Sequence, residues 1–422
     1  MRQKGLILVL LVLITLIVFV GCPKKLSGEI TFWAMPNAPN DIHVAWMEKK
    51  GAEFKESTTV TVHFEEVGWG DAWTRISTAL ATGEGADTFQ VGTTWNPQFA
   101  ATEGLMELNM GEFGGKGAFM AANLESCTLK GKYYGVPWFA ETRCLFYNKD
   151  IFAEAGVEPP KTHEELVAVG KKITDKKGKG TAIAIAGTTA WDLLHNWAII
   201  LWGNGGSLLS SDNSKAIFNG PEGVQAMKWY VDLVRDGLAA EACAEYNQPQ
   251  ADAAFTNGNV AMCYMGPWNV SGIKRDNPDL NYGIVEPPQG PKGKASFSGG
   301  SNLVVLAQAQ NADAAKAWIK FLIDEANLVD YTKNLSNMLP AKKKAFSDPY
   351  YQEGAFKVFK ETLGYATAYP PLGVWGSIEA AVVDEFKNVL ADYVNGQYTD
   401  DTVQKYLDKA AEKVDAALKE EK

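Results

Sequence analysis

Apolar and polar positions divide this chain into an N-terminal run and a long patterned body. Leu6–Val20 is apolar except for Thr15 and follows Arg2 and Lys4. From residue 29 onward, short alternating stretches take turns with longer amphipathic ones. Glu29–Trp33 alternates and is β-branched and aromatic, which predicts a strand. Pro36–Asn40 breaks it as a loop. Trp46 and Phe54, with Glu and Lys between them, predict an amphipathic helix. Thr59–Glu65 reads as a second strand, Asp71–Leu80 as a helix, and Thr88–Val91 as a third strand. Strands alternating with helices at this spacing predict βαβ units and a mostly parallel sheet.

Gly135–Asp150 is a long extended segment, long enough to cross between domains. Pro159 and Pro160 precede a helix starting near His163. Thr162 is its expected N-cap, and Glu165 completes a capping box. A second α/β domain follows to about residue 295. Val260–Met265 reads as a strand, Pro287–Gly293 as a loop, Leu303–Leu306 as a buried strand and Ala312–Ile323 as a helix. From Asp348 the chain is mainly helical, closing with Val403–Leu418. There is no repeat of 20–50 residues and no low-complexity tract.

Ligands of such sheets bind beyond the C-terminal ends of the strands. Those loops are Trp33–Asn37, Gly68–Trp73 and Thr93–Asn96, each with a Trp. The 13 Trp of the chain matter for that reason: indole is the best side chain for stacking on flat ligand faces, although it also fills cores. Trp46, Trp229 and Trp318 lie in helical patterns and read as core.

The 422 residues suit two or three domains, and 46% hydrophobic with 21% charged residues is ordinary for a globular protein. A formal net charge of −10 without a long basic block disfavours nucleic acid. The N-terminal run is short for a membrane span; charged start, apolar run and Gly21 describe an export signal. Phe19-Val20-Gly21-Cys22 resembles a bacterial lipobox, with Phe19 where Leu is usual. On that resemblance 1–21 is a lipoprotein signal peptide, Cys22 the lipid-modified first residue, and 22–28 a polar tether. The other reading is an uncleaved signal anchor. Cys127, Cys144, Cys243 and Cys263 match no zinc or CxxC spacing. Export permits disulfides with three connectivities, none favoured; buried free thiols are the preferred reading.

Catalytic signatures are missing. The four His are not spaced as metal ligands, and Val167 stands where the second His of a zincin motif would be. GxGxxG, GxxxxGK[ST] and GxSxG are absent. No cofactor or metal is expected. Paired carboxylates for glycoside hydrolysis need not be close in sequence, so an exported glycan-degrading enzyme stays as an alternative.

Several stretches in order resemble the bacterial extracellular solute-binding proteins of sugar ABC importers. They are GVPWFAETRCLFYNKDIFAEAGVEPPKTHEEL (135–166), FTNGNVAMCYMGPW (255–268), ATGEGADTF (81–89), FSGGSNLVV (297–305) and AAKAWIKFL (314–322). The resemblance implies the type II periplasmic-binding-protein fold: two α/β lobes, each a mostly parallel sheet flanked by helices, with a ligand cleft between them. It implies crossings near 139–143, 297–300 and 340–347. The expected division is 29–140 with 299–342 as lobe 1, and 141–298 with 343–422 as lobe 2.

A sugar offers hydroxyls and weakly polar C–H faces, so its cleft needs carboxylates, amides and aromatic planes. Glu141 and Arg143 project to the same side of an extended segment, and the resemblance puts a ligand-contacting acid at Glu141. It also implies stacking roles for Trp268, after the Gly266-Pro267 turn, and Trp375, after Pro370-Pro371. Trp95 and Asn96 occupy a loop that contacts sugar in the family; maltose-binding proteins carry a charged pair there, which argues against the same hydroxyl pattern. Asp192, beside Trp191 and His195, is placed where the family supplies an acid and an aromatic. Gly299 and Gly300 could offer backbone N–H groups where a Cβ would obstruct. Trp33, Asn37, Trp69 and Trp73 are further loop candidates.

The expected function is the substrate-binding component of an ABC importer, not an enzyme. It takes a neutral mono- or oligosaccharide and hands it to permease subunits, as a monomer tethered through Cys22 to the outer face of a bacterial membrane or in the periplasm. A polyamine or a glycerol-phosphate ester is the alternative solute.

Overall fold

The computed structural model describes residues 26–188 and 190–421, excluding the side chains of Ala190 and Trp191. The expected signal segment 1–21, Cys22, residues 23–25 of the tether and the Trp191 side chain lie outside the described residues. Among the described residues the strands are β1 (Gly28–Ala34), β2 (Val60–Glu66), β3 (Thr88–Gly92), β4 (Thr128–Leu129), β5 (Lys132–Tyr133), β6 (Val136–Thr142), β7 (Cys144–Asn148), β8 (Ile183–Ala184), β9 (Met262–Met265), β10 (Tyr282–Val285), β11 (Ser298–Val305) and β12 (Leu339–Pro340).

β4 and β5 pair with each other as a short antiparallel ribbon, and the other ten strands build one sheet in each of two lobes. The larger is ordered β12-β6-β11-β3-β1-β2 and the smaller β10-β7-β9-β8. The predicted helices flank them, including Asn40–Thr58, Trp69–Thr82, His163–Lys177, Ala312–Leu322 and Thr402–Glu420. Thr162 caps its helix as expected: its hydroxyl accepts the Glu165 N–H at 3.1 Å. The Glu165 carboxylate reaches one residue further back and accepts from the Lys161 N–H at 2.7 Å.

The expectation of mostly parallel sheets is corrected. In the larger sheet β2, β1 and β3 are parallel, but β11 is antiparallel to both β3 and β6, and β12 to β6. In the smaller sheet only β8 and β9 are parallel. The reason is where β11 enters. It arrives from the other lobe beside the ends of β3 and β6, with Ser301 opposite Gly92 and Ser298 opposite Thr142. A strand entering there must run back against both, and the βαβ crossover rule does not apply to it.

The long extended segment is two strands in different sheets. β6 ends at Thr142, β7 begins at Cys144, and Arg143 alone lies between. The return path runs from β10 to β11. The two paths are latched together: the Ser296 hydroxyl donates to the Arg143 carbonyl at 2.7 Å and lies 2.9 Å from the Thr142 hydroxyl.

Alternation along β1 sends Phe32 and Trp33 to opposite faces of the larger sheet. Phe32 packs with Trp138, Leu303 and Trp318, and Trp33 with Phe89, Ile76 and Leu80. The second lobe has its own core around Trp197, Phe386, Leu407 and Val414. A further cluster at the seam joins Ala140 and Leu339 of the larger sheet to Cys144 and Phe146 of the smaller. Cys127, Cys144, Cys243 and Cys263 are all buried and free, as preferred from sequence. No described helix is long and apolar enough to cross a membrane.

Candidate ligand cleft

Arg143, fixed by its place between the sheets, is only 3% exposed and organises the seam. One guanidinium nitrogen pairs with the Glu141 carboxylate and another donates to Asp192 Oδ1 at 3.0 Å. The guanidinium lies over the Trp268 indole, its Cζ 4.6 Å from the ring centroid. Trp268 can fold back there because residue 266 is glycine; a Cβ on Gly266 would fall 1.9 Å from the indole ring. Glu141, Asp192 and Trp268, three of the predicted site residues, therefore converge on one cation. Gly299 lies opposite Glu141 across the β6–β11 ladder. A Cβ on Gly299 would sit 2.6 Å from Glu141 Oε1, so that glycine makes room for the carboxylate.

An aromatic column stands next to this cluster. The His195 ring stacks on Phe297 at 3.8 Å and 12°, and Tyr369 stacks on Trp375 at 4.5 Å and 24°. Phe297 and Tyr369 are 5.0 Å apart, and the Tyr369 hydroxyl shares a 2.7 Å hydrogen bond with His195 Nδ1. A cavity of about 10 Å³ opens beside the column, lined among others by Thr93, Thr94, Pro97, Ser298, Tyr369 and Trp375. That is about the space of one water. The lobes are closed on it, and Gln98 of the first lobe accepts the Gly376 N–H at 3.0 Å.

Burial dominates the electrostatics. Glu141 is pushed up to about 7, because desolvation outweighs the attraction of Arg143. Asp192 is raised for the same reason. Asp252 rises to about 7 although it accepts from Gln248 at 2.6 Å and Asn269 at 2.9 Å. Glu379, on the helix Trp375–Val394, is pushed up to about 8 by burial and then by Asp192. His195 is held well below its ordinary value by burial and by Arg143, so its ring is neutral.

The remaining predicted residues lie elsewhere. Trp95 turns away from the cavity into a cluster with Trp69, Trp73 and Phe99, at ring distances of 5.8, 5.4 and 6.2 Å. Its neighbours Thr94 and Pro97 line the cavity instead. Asn96 is fully buried and its side-chain oxygen accepts from Asn302 at 3.2 Å. Trp33 packs edge-on to Phe89 and under the Arg75 guanidinium, in the core. Asn37 donates to the Met35 carbonyl and the Tyr331 hydroxyl, tying down its loop. Trp69 is 37% exposed and donates its indole N–H to the Pro36 carbonyl. Gly300 has φ +128°, and a Cβ there would meet the Phe139 carbonyl oxygen at 2.1 Å, so its glycine serves the backbone path of β11.

Sequence reasoning did not select Phe297, Tyr369, Thr93, Thr94, Asp252 or Glu379 for the site. Phe297 and Tyr369 had signals, the first opening a quoted motif and the second preceding Pro370-Pro371 in the loop that carries Trp375. Asp252 and Glu379 sit inside ordinary helices, where only the packed structure shows what their buried faces meet.

Comparison with known proteins adds the family context. A family model described as bacterial extracellular solute-binding protein matches residues 50–358. A putative binding protein of Brucella abortus is 29% identical over 379 residues, 88% of this chain and 89% of its own. The diacetylchitobiose binding protein DasA of Streptomyces coelicolor is 28% identical over 364 residues, 84% and 82% of the two chains. A crystal structure of an ABC transporter solute-binding protein from Thermotoga lettingae, bound with α-D-tagatose, superposes with a TM-score of 0.81 at 25% identity. That match covers 93% of this chain and 100% of the other.

Proposed function

Because this chain belongs to the bacterial extracellular solute-binding protein family, we propose that it is the substrate-binding component of an ABC importer and captures a mono- or oligosaccharide between its lobes. The observation that carries the reading is the seam itself. Carboxylates gathered on Arg143 supply hydroxyl acceptors, and the indoles of Trp268 and Trp375 supply stacking planes beside them. The sugar-binding relatives support the solute class.

Sugar-sized solutes need a pocket of roughly 300 Å³ or more, far above the 10 Å³ present. The lobes therefore open to admit solute and close over it, and ligand stabilises the closed form. The moving bodies are 29–140 with 299–342, and 141–298 with 343–422. Glu141, Asp192, Trp268, Trp375 and Gly299 are the residues proposed to meet sugar or to shape the surface that does. No bond is made or broken. The protein is a monomer, held at the outer face of the membrane through lipid on Cys22 and serving permease subunits there.

A thermal-shift screen across a broad sugar panel tests the binding reading, since a ligand of the native state raises apparent stability by mass action. A sugar that raises the melting temperature and is recovered unchanged supports it. No stabilising sugar, or turnover of a glycan, contradicts it. Expression of Cys22→Ala in a bacterial host tests the anchor: lipid labelling should disappear. A native N-terminus at Met1 with no lipid on Cys22 overturns that part.

A further inference from the structure

The helix Trp375–Val394 begins without a cap of its own. Its N-cap position is Val374, whose side chain makes no capping bond, and its first turn carries no acid. The first N–H groups of a helix have no partner within it, so the Gly376 N–H needs an acceptor from elsewhere. That acceptor is the Gln98 side-chain oxygen, 3.0 Å away. Gln98 lies on the short helix Asn96–Ala101 of the first lobe. A helix end in the second lobe is thus completed by a side chain of the first.

Two glycines let the helices come this close. A Cβ on Gly376 would lie 2.2 Å from the Gln98 oxygen, and one on Gly373 would lie 2.7 Å from the Ala101 Cβ. Neither glycine has a positive φ, so backbone conformation gives no reason for them. The approach of the first-lobe helix does.

The contact sits on the cavity wall. Pro97 and Trp375 line the cavity, and their chain neighbours Gln98 and Gly376 make the bond. With that bond in place the cavity is about 10 Å³, whereas a sugar needs roughly 300 Å³ or more. Pro97 and Trp375 must part to make that room, since one stands on each lobe. An N–H···O bond weakens beyond about 3.2 Å, so sugar and bond exclude one another. This tight closure also leaves the Ser298 hydroxyl and the Trp375 indole N–H without partners, although both residues line the cavity. Unpaired buried groups count against such a form, and the contact made by Gln98 offsets them.

We propose that the Gln98–Gly376 contact is an autoinhibitory latch. It holds the lobes in a tightly closed resting form that excludes sugar, and sugar binds once it breaks. The form closed over sugar is wider at this edge than the latched one. The inference rests on the two-lobed sugar-binding reading above and adds to it a state that competes with solute. The apparent Kd is then the intrinsic Kd divided by the unlatched fraction. Weakening the latch therefore tightens sugar binding.

Three variants of the mature chain test this beside wild type, each checked for an unchanged circular dichroism spectrum. Gln98→Ala removes the acceptor. Gly373→Ala keeps Gln98 and sets a methyl against Ala101. Gln98→Glu keeps an acceptor, and a carboxylate is favourable at a helix N-terminus. Small-angle X-ray scattering without sugar reads how far the lobes are closed, and calorimetry with glucose, galactose, maltose and cellobiose reads affinity. The radius of gyration should rise in Gln98→Ala and Gly373→Ala and stay at the wild-type value in Gln98→Glu. Any of these sugars that binds wild type should bind Gln98→Ala roughly two- to tenfold more tightly, the factor one hydrogen bond is worth. A Gln98→Ala scattering profile identical to wild type, or sugar binding by Gln98→Ala no tighter than wild type, overturns the latch and leaves the sugar reading standing. If none of these sugars binds either protein, that counts against the sugar reading, and the scattering alone decides for or against the latch.

Discussion

Replacing Arg143 by Met should destabilise the protein in a strongly pH-dependent way. Met keeps much of the side-chain volume and removes the charge that Glu141 and Asp192 share. Removing one partner of a buried ion pair costs about 3–5 kcal/mol, because the other charge is left uncompensated. That cost applies only where the carboxylates are ionised. Glu141 already holds its proton up to about 7 in the native state, against an ordinary value of 4.5. A carboxyl raised on folding binds more protons in the native state. Its contribution to stability is therefore full below the ordinary value and declines as pH rises toward the folded value.

Without the guanidinium, Glu141, Asp192 and Asp252 lose an attraction that lowers each of them. They move further up, so the decline becomes steeper and continues to higher pH. At pH 8 the variant should be less stable by about 3–5 kcal/mol. Near pH 5, where Glu141 and Asp252 are largely protonated, the loss should fall to roughly 1–2 kcal/mol for the hydrogen bonds and the Trp268 stack. Urea unfolding followed by circular dichroism at pH 5, 6, 7 and 8 measures both. Equal destabilisation at pH 5 and pH 8, or a variant as stable as wild type, would show that the seam is not held by charge.

Three further changes should have distinct outcomes. Trp375→Ala removes a side chain 1% exposed and stacked on Tyr369; it should cost about 3–5 kcal/mol of stability without ligand and weaken sugar binding about tenfold or more by calorimetry, and wild-type affinity would place the sugar elsewhere. Gly300→Ala forces a Cβ to 2.1 Å from the Phe139 carbonyl at φ +128°; backbone strain of about 1–3 kcal/mol plus the clash should cut the soluble yield sharply, and a normal melting curve would refute the register. The four buried free thiols should react with a thiol reagent only on unfolding, and a reductant should leave the melting temperature unchanged; a drop on reduction would reveal a disulfide.

Much of the fold was readable because its elements are amphipathic in sequence. Alternation in Glu29–Trp33 and the Thr162 cap correspond closely to β1 and to the helix His163–Lys177. The directions of β11 and β12 were not readable, since strand order across a seam depends on where a returning chain enters. Of the residues that the family resemblance singled out, Glu141, Asp192 and Trp268 all meet Arg143 in the structure. Trp33 and Trp95 could not be placed: a Trp at the end of a strand serves a core or a cleft equally well, and only the pleat sends Trp33 toward Phe89. Glu379 was invisible because a buried helical acid looks like a solvated one until its neighbours are known.

The central claim is that a sugar binds at the seam between Trp268 and Trp375. A crystal structure of the protein with the sugar that stabilises it most tests this directly. The account predicts one sugar per chain, a ring face on the Trp375 indole, and hydroxyls within hydrogen-bond distance of the carboxylates gathered at Arg143. A sugar bound away from both indoles, or a seam still closed and empty at saturating sugar, would contradict it.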